Sequence, residues 1–413
     1  MKLSISEVLD VLASRGILPD SNEPLIDIPE DEIDFPEIGG LEENETVYRT
    51  SLNEVFGNSN GELDFPFSDD PRLREWWDGV EGIIDSEEAK IAEKAKKRLL
   101  GEGPSAPEPH CAWYCPIHYF GSSWGIYIRE DCILSIAKDI ACEVDWGKVK
   151  LSRHTIQAEL LRCAFYVFFL HEQFHHKVES LGFRLLVSTA SDRYRRYKSK
   201  VYRPSYLSKD CLEESLANAD SYKRLSEPRF TKRISSPIRT GLREFMRTSF
   251  KMQPPGYKQA LDYLSPVKFQ SGLYRLQSQI LDSALVTSTP HADWALATNM
   301  IKSLMNIEDD IFVVLPIGAR PIFNPTTLDP GITTSSRNLV AALQKHFGYQ
   351  VIPGRGKGSH IWLEKSGSPP ITVPANRPTL SPKVIKDALQ AIGDYPLSKL
   401  PDLLSGRLRE AMA

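Results

Sequence analysis

Ile156-Gln-Ala-Glu-Leu-Leu-Arg-Cys-Ala-Phe-Tyr-Val-Phe-Phe-Leu-His-Glu-Gln-Phe-His175 is the stretch from which the rest of this chain can be read. Ala158, Leu160, Leu161, Ala164, Phe165, Val167, Phe168, Phe169 and Leu170 cover nearly every side of a helix, the pattern of one buried all round rather than lying on a surface. The run ends in His171-Glu172-Gln173-Phe174-His175, an HExxH motif. Residues i and i+4 share a helix face, so both imidazoles can hold one cation while Glu172 stands beside them to take a proton from bound water. A dry wall favours that chemistry, because water on a cation ionises near neutral pH only when the ion keeps an open coordination position.

A third ligand is expected downstream. Cys211-Leu-Glu-Glu-Ser-Leu-Ala-Asn-Ala219 reads as another helix, with Glu214 and Asn218 one turn apart on one face. The candidate metal ligands are therefore His171, His175 and Glu214, with Asn218 orienting one of them; Glu213 competes for the third place, because helix phase read from sequence can shift by a residue. Zinc suits two imidazoles, one carboxylate and an open position. His176 points about a quarter-turn away from His175 and is expected to take a polar or packing role. Tyr202, Tyr206, Tyr222 and Tyr257 could each stabilise an oxyanion, and the sequence does not choose among them.

Working outward, residues 4 to 15 carry a short amphipathic pattern closed by Gly16, and Ser86 to Leu100 reads as a charged helix. Pro19 to about Asp70 is acidic and broken by prolines and glycines, which predicts a loop-rich segment. Trp124 to Arg129 reads as a strand that could receive an extended peptide by edge addition or lie inside a sheet. Helical patterns then run from Ile133 to about Asn306, followed by the short strand Phe312 to Pro316 and a linker. The C-terminal order is helix (Arg337 to Phe347), strands at 349–353, 360–364 and 371–373, and a helix capped by Ser381. Between its first two strands lies the basic turn Gly354-Arg-Gly-Lys-Gly-Ser-His360, suited to phosphate contact. The resulting division is 1–105 acidic and partly loop-rich, 106–323 a helical core with a small sheet, 324–334 a linker, 335–396 an α-β-β-β-α unit and 397–413 a tail.

Composition bounds these readings. With 413 residues, 41% of them hydrophobic and 25% charged, the chain is too long for one ordinary core and belongs with globular α+β multidomain proteins rather than disordered or collagen-like ones. The longest apolar run, Cys163 to Leu170, is far too short to cross a bilayer, and Met1-Lys2 leads into polar residues rather than an export signal, so no membrane partner and a cytoplasmic location are expected. Six cysteines are too sparse for a disulfide scaffold and are expected as reduced thiols. The formal charge of -4 hides an asymmetry: residues 1 to 70 hold 3 basic and 18 acidic side chains, whereas the stretch from Gly331 holds 11 and 5. The acidic head is either a solvated leader or a mask over a basic, nucleic-acid-facing tail.

At the motifs quoted, residues 106 to 320 resemble the gluzincin metallopeptidases, including their ImmA/IrrE-like branch: HExxH on one helix and Glu-x-x-Ala-Asn on a later one. The resemblance implies Zn2+ held by His171, His175 and Glu214, Glu172 as general base, and a protein or peptide substrate. The long insert between His175 and Glu214 departs from compact members. Residues 335 to 395 look like the HicA family of toxin ribonucleases, whose fold is related to double-stranded-RNA-binding domains, through Gly358-Ser-His360, Thr372-Val-Pro374 and the closing helix. That likeness implies RNA as a partner, Arg355, Lys357 and Ser359 as contacts, His360 as catalytic and an antitoxin-like protein partner. It departs at Asn376, where the family often has His. Two functional expectations follow: a zinc peptidase with an RNA-binding module, in bacterial stress response, toxin-antitoxin or phage defence, or an mRNA-cleaving toxin regulated by the peptidase-like part.

Overall fold

The computed structural model describes residues 5–17, 45–56, 71–99, 111–121, 124–281, 306–317, 319, 321–323, 334–353, 355, 360–375, 377, 380, 382–393, 395, 399–404, 406 and 408. Within them the chain is mixed α+β and mostly helical, with two small sheets. It opens with α1 (Ile5–Ser14), β1 (Glu45–Thr50), α2 (Leu52–Phe56), α3 (Pro71–Asp85) and α4 (Glu87–Leu99). Then come β2 (Ala112–Cys115), β3 (Gly125–Arg129), α5 (Glu130–Glu143) and the long α6 (Arg153–Thr189). Past α6 lie α7 (Arg193–Tyr197), a π turn (Lys198–Tyr202), α8 (Leu212–Arg224), α9 (Ser236–Met252), α10 (Pro266–Leu281) and β4 (Ile311–Pro316). The C-terminal part holds α11 (Ser336–Phe347), β5 (Gln350–Val351), β6 (His360–Glu364), β7 (Ile371–Pro374), α12 (Pro382–Gly393) and α13 (Leu400–Leu404).

The first sheet has the order β1-β4-β3-β2. β1 and β4 are antiparallel from Glu45 opposite Pro316 to Thr50 opposite Ile311, β3 and β4 are parallel, and β2 returns antiparallel to β3. β3 is thus internal, and edge addition at Trp124 to Arg129 is excluded: its apolar residues are buried because a strand pairs on both sides. The sheet edges among the described residues are β1 and β2. β1 is also a correction to the loop-rich expectation for Pro19 to Asp70; residues 45–56 form a strand and a short helix, and the remainder of that segment lies outside the described residues. Gly125 is required where it stands, with φ +146 and a position where a Cβ would lie 2.6 Å from the Phe312 ring and 2.7 Å from Asp310 O.

α6 runs 37 residues, about 55 Å at the helical rise. Ser152 caps it, its Oγ accepting the Thr155 amide at 3.1 Å, and Ala190 closes it in the left-handed region at φ 56. Nearly every side chain from Ile156 to Leu186 is buried, because the sheet, α5, α8 and α9 all pack against it. Val8 and Leu12 of α1, Val47 of β1 and Trp76 of α3 join the same apolar cluster, which extends to Phe323. A second cluster runs from Leu339 to Leu404 around the sheet β5-β6-β7. The two meet at a polar seam, where Asn338 Nδ2 donates to Glu45 O at 3.2 Å and Arg129 grips the Glu45 carboxylate at 2.7 and 3.2 Å.

The thiol expectation needs correction at one pair. Cys111, just before β2, is joined to Cys132 of α5 by a disulfide spanning 21 residues, while Cys115, Cys142, Cys163 and Cys211 are free and buried. No local spacing marks a pair formed when a strand folds back on the helix that follows it. No described helix is long and apolar enough to cross a membrane. The Ser381 cap and most of the 324–334 linker lie outside the described residues.

Glu130 ties three parts of the main core together. It is fully buried at the first turn of α5, accepts the Ile322 amide at 2.6 Å and meets Arg72 of α3 at 3.3 Å. Burial pushes its pKa up to about 7, although Ile322 and Arg72 pull the other way. The folded state then keeps a proton that the unfolded chain releases near pH 4.5, so this contribution is complete below that pH and is lost as pH rises through 7. Urea unfolding of wild type and Glu130→Gln from pH 4.5 to 7 should show wild type losing on the order of 3 kcal/mol more than the variant across that interval. Parallel pH profiles would remove Glu130 as the cause.

Candidate metal centre

α6 and α8 pack against each other and bring the sequence-predicted residues together. One nitrogen of His171, one of His175 and one carboxylate oxygen of Glu214 lie within 4.8 Å of one another, a group that could hold a metal ion. His171 Nε2 is 3.0 Å from Glu214 Oε2 and 3.3 Å from His175 Nε2, and His175 Nε2 is 3.5 Å from Glu214 Oε1.

The other face of each ring decides what those atoms can do. Asn218 Nδ2 donates to Gln253 Oε1 at 2.7 Å and to Tyr257 O at 3.4 Å, which orients the amide so that Oδ1 accepts from His171 Nδ1 at 2.9 Å. Glu213 Oε1 accepts from His175 Nδ1 at 2.7 Å. Both Nδ1 atoms are thus committed to acceptors, and the two Nε2 atoms face each other beside a carboxylate. A metal ion could be held by all three, and imidazoles backed by a carbonyl or carboxylate are the usual preparation for one. Glu213 and Glu214 thus take different parts: Glu214 faces the two Nε2 atoms, and Glu213 stands behind His175.

Electrostatics follow the same division. Burial opposes charge on Glu214, but His175 and His171 outweigh it and hold its pKa well below the usual carboxylate range. Burial likewise opposes charge on Glu213, and Lys198, 3.3 Å away, together with His175 keeps it low. On His175 burial is outweighed by Glu214 and Glu213, which raise its pKa well above that of an ordinary histidine. Glu172, buried in the α6 wall, is raised by that burial, partly offset by His171 and His175.

Of the four tyrosines, three gather here. Tyr257 lies parallel to the His171 ring at 5.9 Å and 13°, Tyr206 OH is 3.4 Å from Tyr257 OH, and the Tyr202 hydroxyl donates to Glu214 Oε1. Tyr222 instead packs edge-on to Phe250 with Arg247 above it. His176 is turned toward Tyr114, its Nδ1 2.9 Å from that hydroxyl, with the Trp124 ring 5.5 Å away. Sequence reasoning missed the roles of Glu213, Lys198, Tyr202 and Gln253, because each depends on how separate elements meet rather than on spacing.

Two of the residues singled out in the C-terminal unit are described, and neither is part of its apolar core. His360 begins β6, opposite Pro374, and Arg355 is ion-paired with Glu364, which also accepts Trp362 Nε1–H at 2.7 Å. Lys357, Ser359 and Asn376 lie outside the described residues. The chain matches no protein-family model, and comparison with curated proteins and with solved structures finds no match.

Metal analysis after dialysis against zinc, with a competitive titration, separates the two adjacent glutamates. Glu214→Ala should lose stoichiometric metal, whereas Glu213→Ala should keep it with an affinity about 10- to 100-fold weaker. Equal retention by both variants would contradict the assignment.

Proposed function

We propose that this chain is a zinc-dependent peptidase carrying a C-terminal HicA-like, RNA-binding module. The observation that carries the reading is the convergence of His171 Nε2, His175 Nε2 and Glu214 on one point, with both Nδ1 atoms already committed to Asn218 and Glu213. Two imidazoles and one carboxylate, without a thiol, suit a zinc ion that keeps a position for solvent, whereas structural zinc sites are closed and usually rich in cysteine. Bound there, zinc would supply a Lewis acid that acidifies water and polarises a peptide carbonyl.

The chain's own groups then have distinct work. Glu172, raised by burial, is suited to accept the proton of the attacking water and pass it to the departing amine. Asn218 and Glu213 hold the two imidazoles in one tautomer each. Tyr206 and Tyr257 place two hydroxyls on the His171 side, where a donor to the developing oxyanion is needed.

The helix-strand-strand-strand-helix order after Ser336, together with the basic excess of the C-terminal stretch, supports the RNA-binding part of the proposal. The peptidase reading leads because its three candidate ligands come together, whereas Lys357 and Ser359 of the basic turn lie outside the described residues. A place in bacterial stress response or phage defence, with an antitoxin-like partner, belongs to the same proposal and rests on analogy between module combinations.

Digestion of a peptide library, followed by mass spectrometry, tests the mechanism. Glu172→Gln should lower cleavage by about 10²- to 10⁴-fold with zinc content unchanged. Undiminished proteolysis in that variant refutes it.

A further inference from the structure

The segment between His175 and Glu214 is long, and its π turn comes back to the metal group. Tyr202, the last residue of that turn, is 1% exposed and donates its hydroxyl to Glu214 Oε1. Its ring is fixed from several directions: Lys198 Nζ stands 3.5 Å from the centroid, Tyr206 lies 5.9 Å away and Tyr197 6.4 Å away. The turn itself is anchored through α7. Gly182 of α6 lets α7 approach so closely that a Cβ there would lie 2.6 Å from Tyr194 Cβ. Arg195 donates to Ile17 O and to His118 O, and Arg193 to Leu281 O. The aim of this hydroxyl is therefore set by packing.

Glu214 needs such a partner. Its Oε2 is 3.0 Å from His171 Nε2 and its Oε1 is 3.5 Å from His175 Nε2, so both oxygens lie within reach of an ion placed between the imidazoles. A carboxylate free to present both would fill the position that hydrolysis reserves for water. We infer that Tyr202 is a positioning residue that claims Oε1, makes Glu214 a one-oxygen ligand and so preserves the solvent position. This deepens the zinc reading above and rests on it. It also gives the insert a use: the segment supplies a clamp on the third ligand.

The experiment uses the full chain. Zinc affinity of wild type and Tyr202→Phe is measured by competition with a chromophoric chelator, and the visible d–d spectrum is recorded after loading with cobalt. Tyr202→Phe should weaken the cobalt bands as Glu214 binds through both oxygens and coordination rises from four toward five, with a zinc Kd equal to or below that of wild type. Cobalt bands as strong as in wild type, or a zinc Kd raised about tenfold or more, the mark of a merely orienting hydrogen bond, overturn the inference. X-ray absorption on zinc-loaded wild type makes the test independent of how the variant folds: four light-atom neighbours support the clamp, and five, with both carboxylate oxygens bound, overturn it. Wild type that takes up no zinc refutes the underlying metal reading instead, so the two failures are told apart.

Discussion

Burying a helix on every side imposes a condition that organises this molecule: each polar group on it must find its partner on a different surrounding element. An unpartnered polar group in such a place costs about 1–3 kcal/mol, and a charge costs more. α6 meets the condition at positions spread along its length. Glu159 accepts from the amide and hydroxyl of Ser235 ahead of α9, Arg162 donates to Val55 O of α2, and Lys177 pairs with Asp220 of α8 at 2.8 Å. Glu179 receives Tyr114 from β2 and both the amide and ring of His118. The metal-capable group is one more solution to the same problem, in which two imidazoles and a carboxylate are left facing one another.

That setting explains why neighbouring residues of one helix behave differently. His175 and His176 are adjacent and both buried, yet one faces Glu213 and Glu214 and the other faces Tyr114, because 100° of helix rotation points them at different elements. Glu213 and Glu214 divide in the same way on α8. Charge is balanced locally, with Lys198 beside Glu213 and the imidazoles beside Glu214, so the buried acids remain ionised in a wall that would otherwise protonate them, as it tends to do to Glu172.

Legibility in the sequence tracks how local each feature is. The apolar wheel of Ile156 to Leu170, the HExxH spacing and the five-element order of the C-terminal unit are all patterns within one segment, and each corresponds to an observed element. Glu214 and Asn218 were readable as a pair on one face, but the choice over Glu213 depended on helix phase, which only the packing of α8 on α6 resolves. β1 escaped notice because its six residues sit in acidic surroundings and gain their register from β4, far along the chain. The Cys111–Cys132 bond and the Tyr202 contact were invisible for the same reason: both join elements whose proximity no spacing encodes.

The strand order has a consequence for how the protein comes off the ribosome. β4 sits between β1 and β3, and Arg49 of β1 bonds Asp310 just ahead of β4 across 261 residues of chain. Until that late segment is synthesised, β1 and β3 have no common neighbour, and the apolar faces that will cover α6 stand open. Vectorial translation therefore leaves the central helix without its full cover from its own completion at Thr189 until Pro316 has been added, and the nascent protein depends on slow, non-local closure, the kind of step during which aggregation competes with folding.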